Sequence, residues 1–245
     1  MKENKYDDEN FFEKYNSMSR STNGLNGAGE WETLKMLLPD FEGKVVLDLG
    51  CGLGWHSAYA AEHGAIQVAA TDISYKMIEK AKRINSYPQI QYDLIAFEDM
   101  YYNENTFDVI ISSLMLHYLE SFDEFLNKIR LWLKPNGILV FNVEHPVFTA
   151  EGTQDWCYEN GHIKHFPIDN YFIEGRRDAV FLGEHVVKYH RTLTTYLNGL
   201  LERGYRLINV VEPRPTEKML AEIAGMKDEL RRPMMLIVVA QNKSN

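Results

Sequence analysis

The sequence predicts an α/β fold with a doubly wound, mostly parallel sheet. Short apolar segments alternate with amphipathic segments from residue 44 onward. The first apolar segment, Val45–Leu49, is almost continuously apolar, as is typical of a strand covered on both faces. It leads into a turn rich in glycine and then into a predicted helix. This strand, turn and helix form the first half of a nucleotide-binding βαβ unit.

The remaining elements follow in order along the chain. The predicted strands cover 45–49, 67–71, 90–95, 107–112, 138–143, 207–211 and 236–240. The predicted helices cover 29–38, 55–63, 75–83, 122–133 and 191–202. Alternating strands and helices imply parallel pairing. Residues 146–188 carry too little periodicity for an assignment, and a connection of this length is typical of a lid, a specificity element or a solvated excursion.

Composition and charge favour one globular catalytic domain. The chain has 245 residues, 45% of them apolar, and a formal net charge of -9, which disfavours a nucleic-acid partner. Cys51 and Cys157 form no C-x-x-C pair, which indicates a reducing compartment and hence the cytoplasm. The N-terminus is too charged for a signal peptide, and the apolar stretch Met234–Ala240 is too short to span a bilayer.

The glycine turn departs from the dinucleotide-binding pattern. Counted from Gly50, the third glycine of G-x-G-x-x-G is replaced by Trp55. Asp48 precedes the turn, where a negative charge repels a pyrophosphate and attracts a cation. S-adenosylmethionine carries an ammonium group and a sulfonium but no phosphate, so the turn suits this ligand better than NAD. Asp72, twenty residues after Gly52, stands where a carboxylate can accept hydrogen bonds from both ribose hydroxyls.

Several segments resemble motifs of the class I S-adenosylmethionine-dependent methyltransferases, in matching order over residues 40–145. Asp48–Gly52 resembles motif I, Thr106–Ser113 resembles the strand-four motif with His117 after it, and Leu133–Val140 resembles the turn into strand five. The likeness is to the broad group that includes the ubiquinone/menaquinone-biosynthesis methyltransferases. It implies a seven-stranded, Rossmann-like methyltransferase fold with an antiparallel last strand. It also implies S-adenosylmethionine as cofactor, S-adenosylhomocysteine as product and a small-molecule methyl acceptor.

The resemblance also implies a set of cofactor-binding residues. In chain order they are Tyr15, Arg20, Asp48, Gly50, Cys51, Gly52, Asp72, Ile73, Met77, Phe97, Glu98, Ser112 and His117. The glycine turn and Asp48 would meet the amino-acid part of the cofactor, Asp72 the ribose, and Ile73 and Met77 the adenine. Tyr15 and Arg20 would lie near the cofactor carboxylate, because an arginine fork suits a carboxylate.

The adenine end departs from the family pattern at Ala96, where many relatives have an aspartate. The amide of Phe97 would then face adenine N1, and Glu98 or a backbone carbonyl would accept from N6. Ser112 would line the cofactor channel, and His117 would contact the sulfonium side. Simpler roles stay open: a helix cap for Asp48, a turn former for Asp72, a core side chain for Met77, a structural hydrogen bond for His117 and a solvated side chain for Arg20.

Two histidines are the candidate bases for deprotonating the acceptor. His145 follows the fifth strand, and His190 precedes the helix 191–202. Surface positions or helix caps would explain both equally simply. A metal site is not expected, since His162 and His165 have no cysteine pair nearby.

One methyltransferase domain is predicted over 1–245. Residues 1–43 form an N-terminal helical cover, 44–145 the cofactor-binding core, 146–190 an insertion that shapes the acceptor site, and 191–245 the last helix and strands. The sequence allows a homodimer. The rival functions are a non-catalytic S-adenosylmethionine-binding protein, an NAD(P)-dependent oxidoreductase, and a methyltransferase acting on protein or RNA.

Overall fold

A computed structural model describes residues 4–243. Its strands are β1 (Val45–Leu49), β2 (Gln67–Asp72), β3 (Ile90–Leu94), β4 (Phe107–Ser113), β5 (Leu133–Glu144), β6 (Cys157–Glu159), β7 (His162–His165), β8 (Gly175–Phe181), β9 (Glu184–His190), β10 (Tyr205–Val211) and β11 (Met235–Asn242). Its α-helices are α1 (Glu9–Ser17), α2 (Ser19–Thr22), α3 (Trp31–Leu37), α4 (Trp55–Glu62), α5 (Tyr75–Ile84), α6 (Phe122–Trp132), α7 (Pro146–Thr149), α8 (Leu193–Glu202) and α9 (Glu217–Glu222).

Seven of these strands form one sheet in the order β10-β11-β5-β4-β1-β2-β3. The five strands from β1 to β5 pair in parallel, whereas β11 runs antiparallel to both β5 and β10. The predicted seven-stranded sheet with an antiparallel last strand is therefore confirmed. Parallel pairing brings the carboxyl ends of β1, β2, β4 and β5 to one edge, where open α/β sheets bind their ligands.

Helices cover both faces of the sheet because neighbouring strand residues point to opposite sides. In β1, Leu47 packs into the large cluster that α6 and α8 complete, with Phe125 and Leu200 among its members. Val46 points to the other face and packs near Ala60 of α4. Apolar side chains are thus needed on both faces, which explains the continuous apolar strands.

The insertion contains two β-hairpins that the sequence analysis left unassigned. One pairs β6 with β7, and the other pairs β8 with β9. Asn160 and Gly161 link the first pair with φ values of 52° and 78°, as in a two-residue turn of type I′. Leu182 and Gly183 link the second pair with φ values of 54° and 77°. Asn-Gly is a strong hairpin signal, whereas a leucine with positive φ is unusual.

Element boundaries differ from the predicted ones by a few residues at several ends. The helix expected from residue 191 begins at Leu193, because the side chain of Thr192 accepts a hydrogen bond from the N–H of Thr195 and so caps it. Strand β5 begins at Leu133, five residues before the predicted start. Within residues 4–243, none of the helices combines the length and the apolar character that crossing a membrane requires.

Candidate active site

A cavity of about 470 Å³ lies at the carboxyl ends of the parallel strands. Its walls come from the N-terminal segment, the glycine turn, the ends of β2 and β4, and the insertion. Most residues predicted to bind the cofactor line it: Tyr15, Arg20, Gly50, Cys51, Gly52, Asp72, Ile73, Met77, Phe97, Glu98 and His117. The topology thus brings together residues separated by up to about a hundred positions in the sequence.

The glycine turn needs its glycines for two different reasons. Gly50 and Gly52 have φ values of 66° and 53°, in the left-handed region that favours glycine. A Cβ on Gly50 would lie 2.6 Å from the side chain of Met115, so protein packing forbids one. A Cβ on Gly52 would meet nothing within 4 Å, although Gly52 lines the cavity. The space above Gly52 is therefore open for a ligand to approach the backbone.

Asp72 ties the end of β2 to this turn. Its Oδ2 accepts a hydrogen bond of 2.9 Å from the N–H of Gly52, and its Oδ1 accepts one of 2.8 Å from the N–H of Ser74. Burial raises the pKa of Asp72 to about 6, although these backbone hydrogen bonds act in the opposite direction. Each oxygen retains a further lone pair, so the carboxylate can still accept hydrogen bonds from a ligand.

Asp48 lies behind the turn, and the structure does not bring it to the cavity wall. Its side chain is 1% exposed, and its Oδ2 accepts a hydrogen bond of 2.6 Å from Ser57 Oγ. Burial raises the pKa of Asp48 to about 7. The expected direct contact with the cofactor therefore differs from the observed geometry, because the carboxylate faces α4 and supports the turn from within.

The N-terminal segment closes one side of the cavity. Asp7 accepts hydrogen bonds from Ser74 Oγ at 2.6 Å and from the N–H of Lys76 at 3.1 Å, which fixes the segment at the start of α5. Arg20 lines the cavity, and its Nη2 donates to both carboxylate oxygens of Glu30 at 3.2 and 3.0 Å. Arg20 is thus partly engaged within the protein, and Glu30 adds a buried carboxylate to this wall.

The residues expected near adenine also line the cavity. Ile73, Met77 and Phe97 line it with apolar side chains. Lys128 Nζ donates to the carbonyl of Phe97 at 3.3 Å and to that of Glu98 at 2.7 Å. Each carbonyl oxygen keeps a further lone pair, so the Glu98 carboxylate and a backbone carbonyl both stay candidate acceptors for an adenine amine.

A polar cluster that the sequence analysis did not identify faces the insertion side of the cavity. Lys188 Nζ donates to Glu144 Oε1 at 2.6 Å and to Gln154 Oε1 at 2.8 Å, and Gln154 Nε2 donates to Glu144 Oε2 at 2.7 Å. We name Glu144, Gln154 and Lys188 the acid–amide–lysine cluster. All three line the cavity, as does His117. Lysines are mostly exposed, and the sequence analysis assigned no structure to the segment that contains Lys188. The sequence therefore does not indicate that this lysine lines the cavity.

The structure does not bring His145, His190 or Ser112 to this cavity. His145 Nδ1 accepts a hydrogen bond of 3.0 Å from the N–H of Val147, and its Nε2 lies 2.9 Å from Glu212 Oε1. His190 Nδ1 lies 2.7 Å from Thr149 Oγ1, and its Nε2 lies 2.9 Å from the carbonyl oxygen of Tyr171. The hydrogen bonds of both rings therefore go to structural partners.

Ser112 is also buried away from the cavity, and the next residue, Ser113, lines the wall in its place. Successive residues of a strand point to opposite sides, which accounts for the difference of one position. In the part of the chain that the structure describes, no three His, Cys, Asp or Glu side chains gather closely enough to hold a metal ion.

Comparison with known proteins identifies the family. A methyltransferase-domain family model matches residues 47–141. The structure resembles a putative S-adenosylmethionine-dependent methyltransferase of Listeria monocytogenes at 48% identity and a TM-score of 0.86, covering 90% of this chain and 100% of that one. It resembles an S-adenosylmethionine-dependent methyltransferase of Mesorhizobium loti at 37% identity and a TM-score of 0.82, covering 89% and 100%.

The chain is also similar to part of a methyltransferase whose activity is named. Malonyl-[acyl-carrier protein] O-methyltransferase of Halalkalibacterium halodurans is 33% identical over 110 residues, which cover 43% of this chain and 41% of that protein. The two structural relatives, by contrast, are matched over their whole length. The chain therefore belongs to the S-adenosylmethionine-dependent methyltransferases, and S-adenosylmethionine is its cofactor.

Proposed function

We propose that this enzyme methylates a small molecule bound beside the cofactor in the single cavity described above. The observation that carries the proposal is the continuity of that cavity. The glycine turn and Asp72 form one set of its lining residues, which we name the cofactor end, and His117 with the acid–amide–lysine cluster forms another, which we name the acceptor end. A cofactor held by the first set would thus share one cavity with an acceptor held by the second.

The cofactor end suits S-adenosylmethionine in shape and in charge. The open space over Gly52 admits a ligand close to the backbone, and Asp72 offers carboxylate lone pairs for ribose hydroxyls. Ile73, Met77 and Phe97 provide an apolar surface for adenine. Tyr15 and Arg20 would meet the cofactor carboxylate, and the carboxylate of Glu30 would meet its ammonium group.

The cofactor and the protein would contribute differently to the reaction. Bound S-adenosylmethionine supplies a methyl carbon activated by a sulfonium. The residues of the chain align an acceptor atom with that carbon, exclude water and, where the acceptor carries a proton, remove it. Asp48 acts indirectly in this scheme, because it holds Ser57 and thereby the start of α4 beneath the glycine turn.

A small molecule is favoured over a macromolecule as the acceptor. The formal charge of -9 opposes binding to a nucleic acid, whose phosphates need a basic surface. The N-terminal segment and the insertion both contribute walls to the cavity, and a volume of about 470 Å³ suits a compact ligand.

Compartment and assembly are part of the same proposal. Cys51 and Cys157 are both unpaired thiols, which supports a reducing compartment such as the cytoplasm. A homodimer is a further hypothesis, and sedimentation equilibrium at several protein concentrations tests it directly.

The decisive test is calorimetric titration with S-adenosylmethionine, S-adenosylhomocysteine and NAD. We expect micromolar affinity for the first two and none for NAD, and loss of at least about tenfold in the Asp72→Ala variant. Asp169→Ala is the matched control, because it removes an exposed carboxylate of the insertion that does not line the cavity. Equal losses in both variants, or binding of NAD alone, would contradict the proposed cofactor site.

A further inference from the structure

The acceptor end of the cavity combines an unusual set of buried polar groups with aromatic walls. His117 comes from the turn after β4, Glu144 from the end of β5, Gln154 from the insertion and Lys188 from β9. His117 and Lys188 are each 2% exposed. Four separate elements thus place polar side chains on one wall, where burial is costly unless the groups are paired or used by a ligand.

The acid–amide–lysine cluster leaves one hydrogen-bond donor for a ligand. The charges of Lys188 and Glu144 cancel, and Gln154 closes a ring of hydrogen bonds between them. An ammonium group has three N–H donors. Within residues 4–243, Nζ donates to Glu144 and Gln154 alone, so the third N–H is available to an acceptor atom in the cavity.

His117 supplies the complementary hydrogen-bond acceptor. Among residues 4–243, its buried Nδ1 has no hydrogen-bond partner. Burial lowers the pKa of His117 to about 4, while Glu144 raises it and Lys188 and Arg191 lower it. The ring is therefore neutral near pH 7 and can accept a proton. If it does, the resulting imidazolium lies within the field of the Glu144 carboxylate.

The surrounding wall favours a ring-shaped ligand. Tyr118, Phe148 and Phe181 line this side of the cavity, and Lys188 Nζ lies 5.4 Å from the centre of the Phe181 ring. Aromatic side chains pack well against planar rings. The apolar walls, the third N–H of Lys188 and the neutral His117 ring together favour a ligand that carries no full charge.

We propose that the methyl acceptor is a neutral hydroxylated ring compound of the phenol or enol class, whose hydroxyl group lies between His117 and Lys188. This inference rests on the proposed function and specifies its acceptor. The hydroxyl donates to the His117 ring, and its oxygen accepts the remaining N–H of Lys188. Both His117 and Lys188 are then catalytic residues, since each touches the reacting group.

The reaction balances with these groups alone. The acceptor oxygen forms a bond to the methyl carbon, and its O–H bond breaks with the proton passing to His117. The electron pair of the broken carbon–sulfur bond stays on the sulfur of the methyl donor. The proton then leaves His117 for water after the products dissociate. A phenol or enol is favoured over an aliphatic alcohol, because a weakly basic imidazole needs an acidic hydroxyl.

Other acceptor classes fit this wall less well. A phosphate group would face the Glu144 carboxylate, and the single lysine is already neutralised by that carboxylate. A protonated amine would face the Lys188 ammonium with Glu144 already engaged. These two classes therefore serve as competing probes in the test.

The test compares the binding of 4-nitrophenol, 4-nitrobenzylamine and 4-nitrophenyl phosphate to the full chain with saturating S-adenosylhomocysteine, at about pH 6, where the phenol is largely neutral, the amine protonated and the phosphate anionic. We expect 4-nitrophenol to bind about tenfold more tightly than either analogue, and the preference to vanish in His117→Ala. Lys188→Met leaves Glu144 unpaired, so the double variant Lys188→Met/Glu144→Gln, which keeps the site neutral, is the second probe. It should also lose the preference.

Two results would overturn the inference. The first is equal or tighter binding of the protonated amine or the phosphate, or no binding of 4-nitrophenol. The second is an unchanged preference in both His117→Ala and the double variant. S-adenosylhomocysteine affinity is measured first in every protein. Its absence in the wild type contradicts the proposed function, whereas its presence without the phenol preference contradicts only the acceptor class.

Discussion

Oδ2 of Asp72 accepts a hydrogen bond of 2.9 Å from the backbone N–H of Gly52, so the end of β2 holds the turn that follows β1. The two residues lie twenty positions apart in the sequence and meet at the cavity wall. Burial raises the pKa of Asp72 to about 6. A side chain that positions the turn and lines the cavity therefore changes its charge close to pH 6.

Cofactor affinity should depend on pH through Asp72. Above about pH 6 the carboxylate is ionised and accepts hydrogen bonds, whereas below it the added proton removes an acceptor. We expect S-adenosylhomocysteine affinity to be constant above this pKa and to fall by up to about tenfold per pH unit below it. Asp72→Asn should bind weakly with little pH dependence over the same range. A wild-type affinity that stays flat through pH 6 would contradict this assignment.

Asp48 should weaken the fold at alkaline pH. Its folded-state pKa of about 7 exceeds the ordinary value of 3.8, so protonation favours the folded state and stability is lost as pH rises through about 7. Asp48→Asn resembles the protonated form. We expect it to raise stability by on the order of 2 kcal/mol near pH 8, or roughly 4–8 °C in Tm.

The gain should shrink near pH 5, where the wild-type carboxyl is itself protonated. Ser57→Ala is the matched control, because it removes the 2.6 Å hydrogen bond to Asp48 without removing the buried charge. It should lower Tm at both pH values. An Asp48→Asn variant that is less stable than the wild type near pH 8 would refute the expectation.

Two glycines of the turn should respond differently to the same substitution. Gly50→Ala brings a Cβ to 2.6 Å from Met115, whereas Gly52→Ala meets no protein atom within 4 Å. Both carry the cost of a positive φ, about 1 kcal/mol. We therefore expect Gly50→Ala to reduce Tm more, and Gly52→Ala to remain folded while losing cofactor affinity. Thermal unfolding and calorimetry on both variants check this, and a Gly52→Ala variant with wild-type affinity would contradict it.

The sequence could predict the sheet and many of the residues that line the cavity, because their signals are local. Val45–Leu49 is apolar on both faces, and the spacing from Gly52 to Asp72 matches a strand–turn–helix–strand unit. The direction of each side chain was harder to predict. Asp48 and Ser112 belong to the correct strands but point away from the cavity. Such placement depends on which face of the strand the neighbouring helices cover.

The acceptor end could not be predicted, because its residues meet only through the insertion. Lys188 approaches Glu144 through the pairing of β8 with β9, and the turn of that hairpin at Leu182 and Gly183 lacks the usual Asn-Gly signal. The sequence offers His145, which follows the fifth predicted strand, and His190, which precedes the predicted helix 191–202, as candidate bases. Their ring nitrogens instead contact backbone groups, Thr149 and Glu212.

Arg191 should control the position of His117 without touching a ligand. Its guanidinium donates to the carbonyl of Leu116 at 3.1 Å, to that of Glu120 at 3.1 Å, and to that of Leu119. These carbonyls flank His117 on the turn after β4. A lysine side chain has a single nitrogen, which cannot donate hydrogen bonds to all three carbonyls with the geometry of the planar guanidinium.

We therefore expect Arg191→Lys to lower stability by about 1–3 kcal/mol, because buried carbonyls lose their donors. Binding of 4-nitrophenol should weaken with it, while S-adenosylhomocysteine affinity stays within about twofold of the wild type, since Arg191 does not line the cavity. Arg176→Lys is the control, because its ion pair with Asp178 is largely exposed and such pairs contribute at most about 1 kcal/mol. Equal losses of both ligands in Arg191→Lys would indicate general unfolding and contradict a specific role in holding His117.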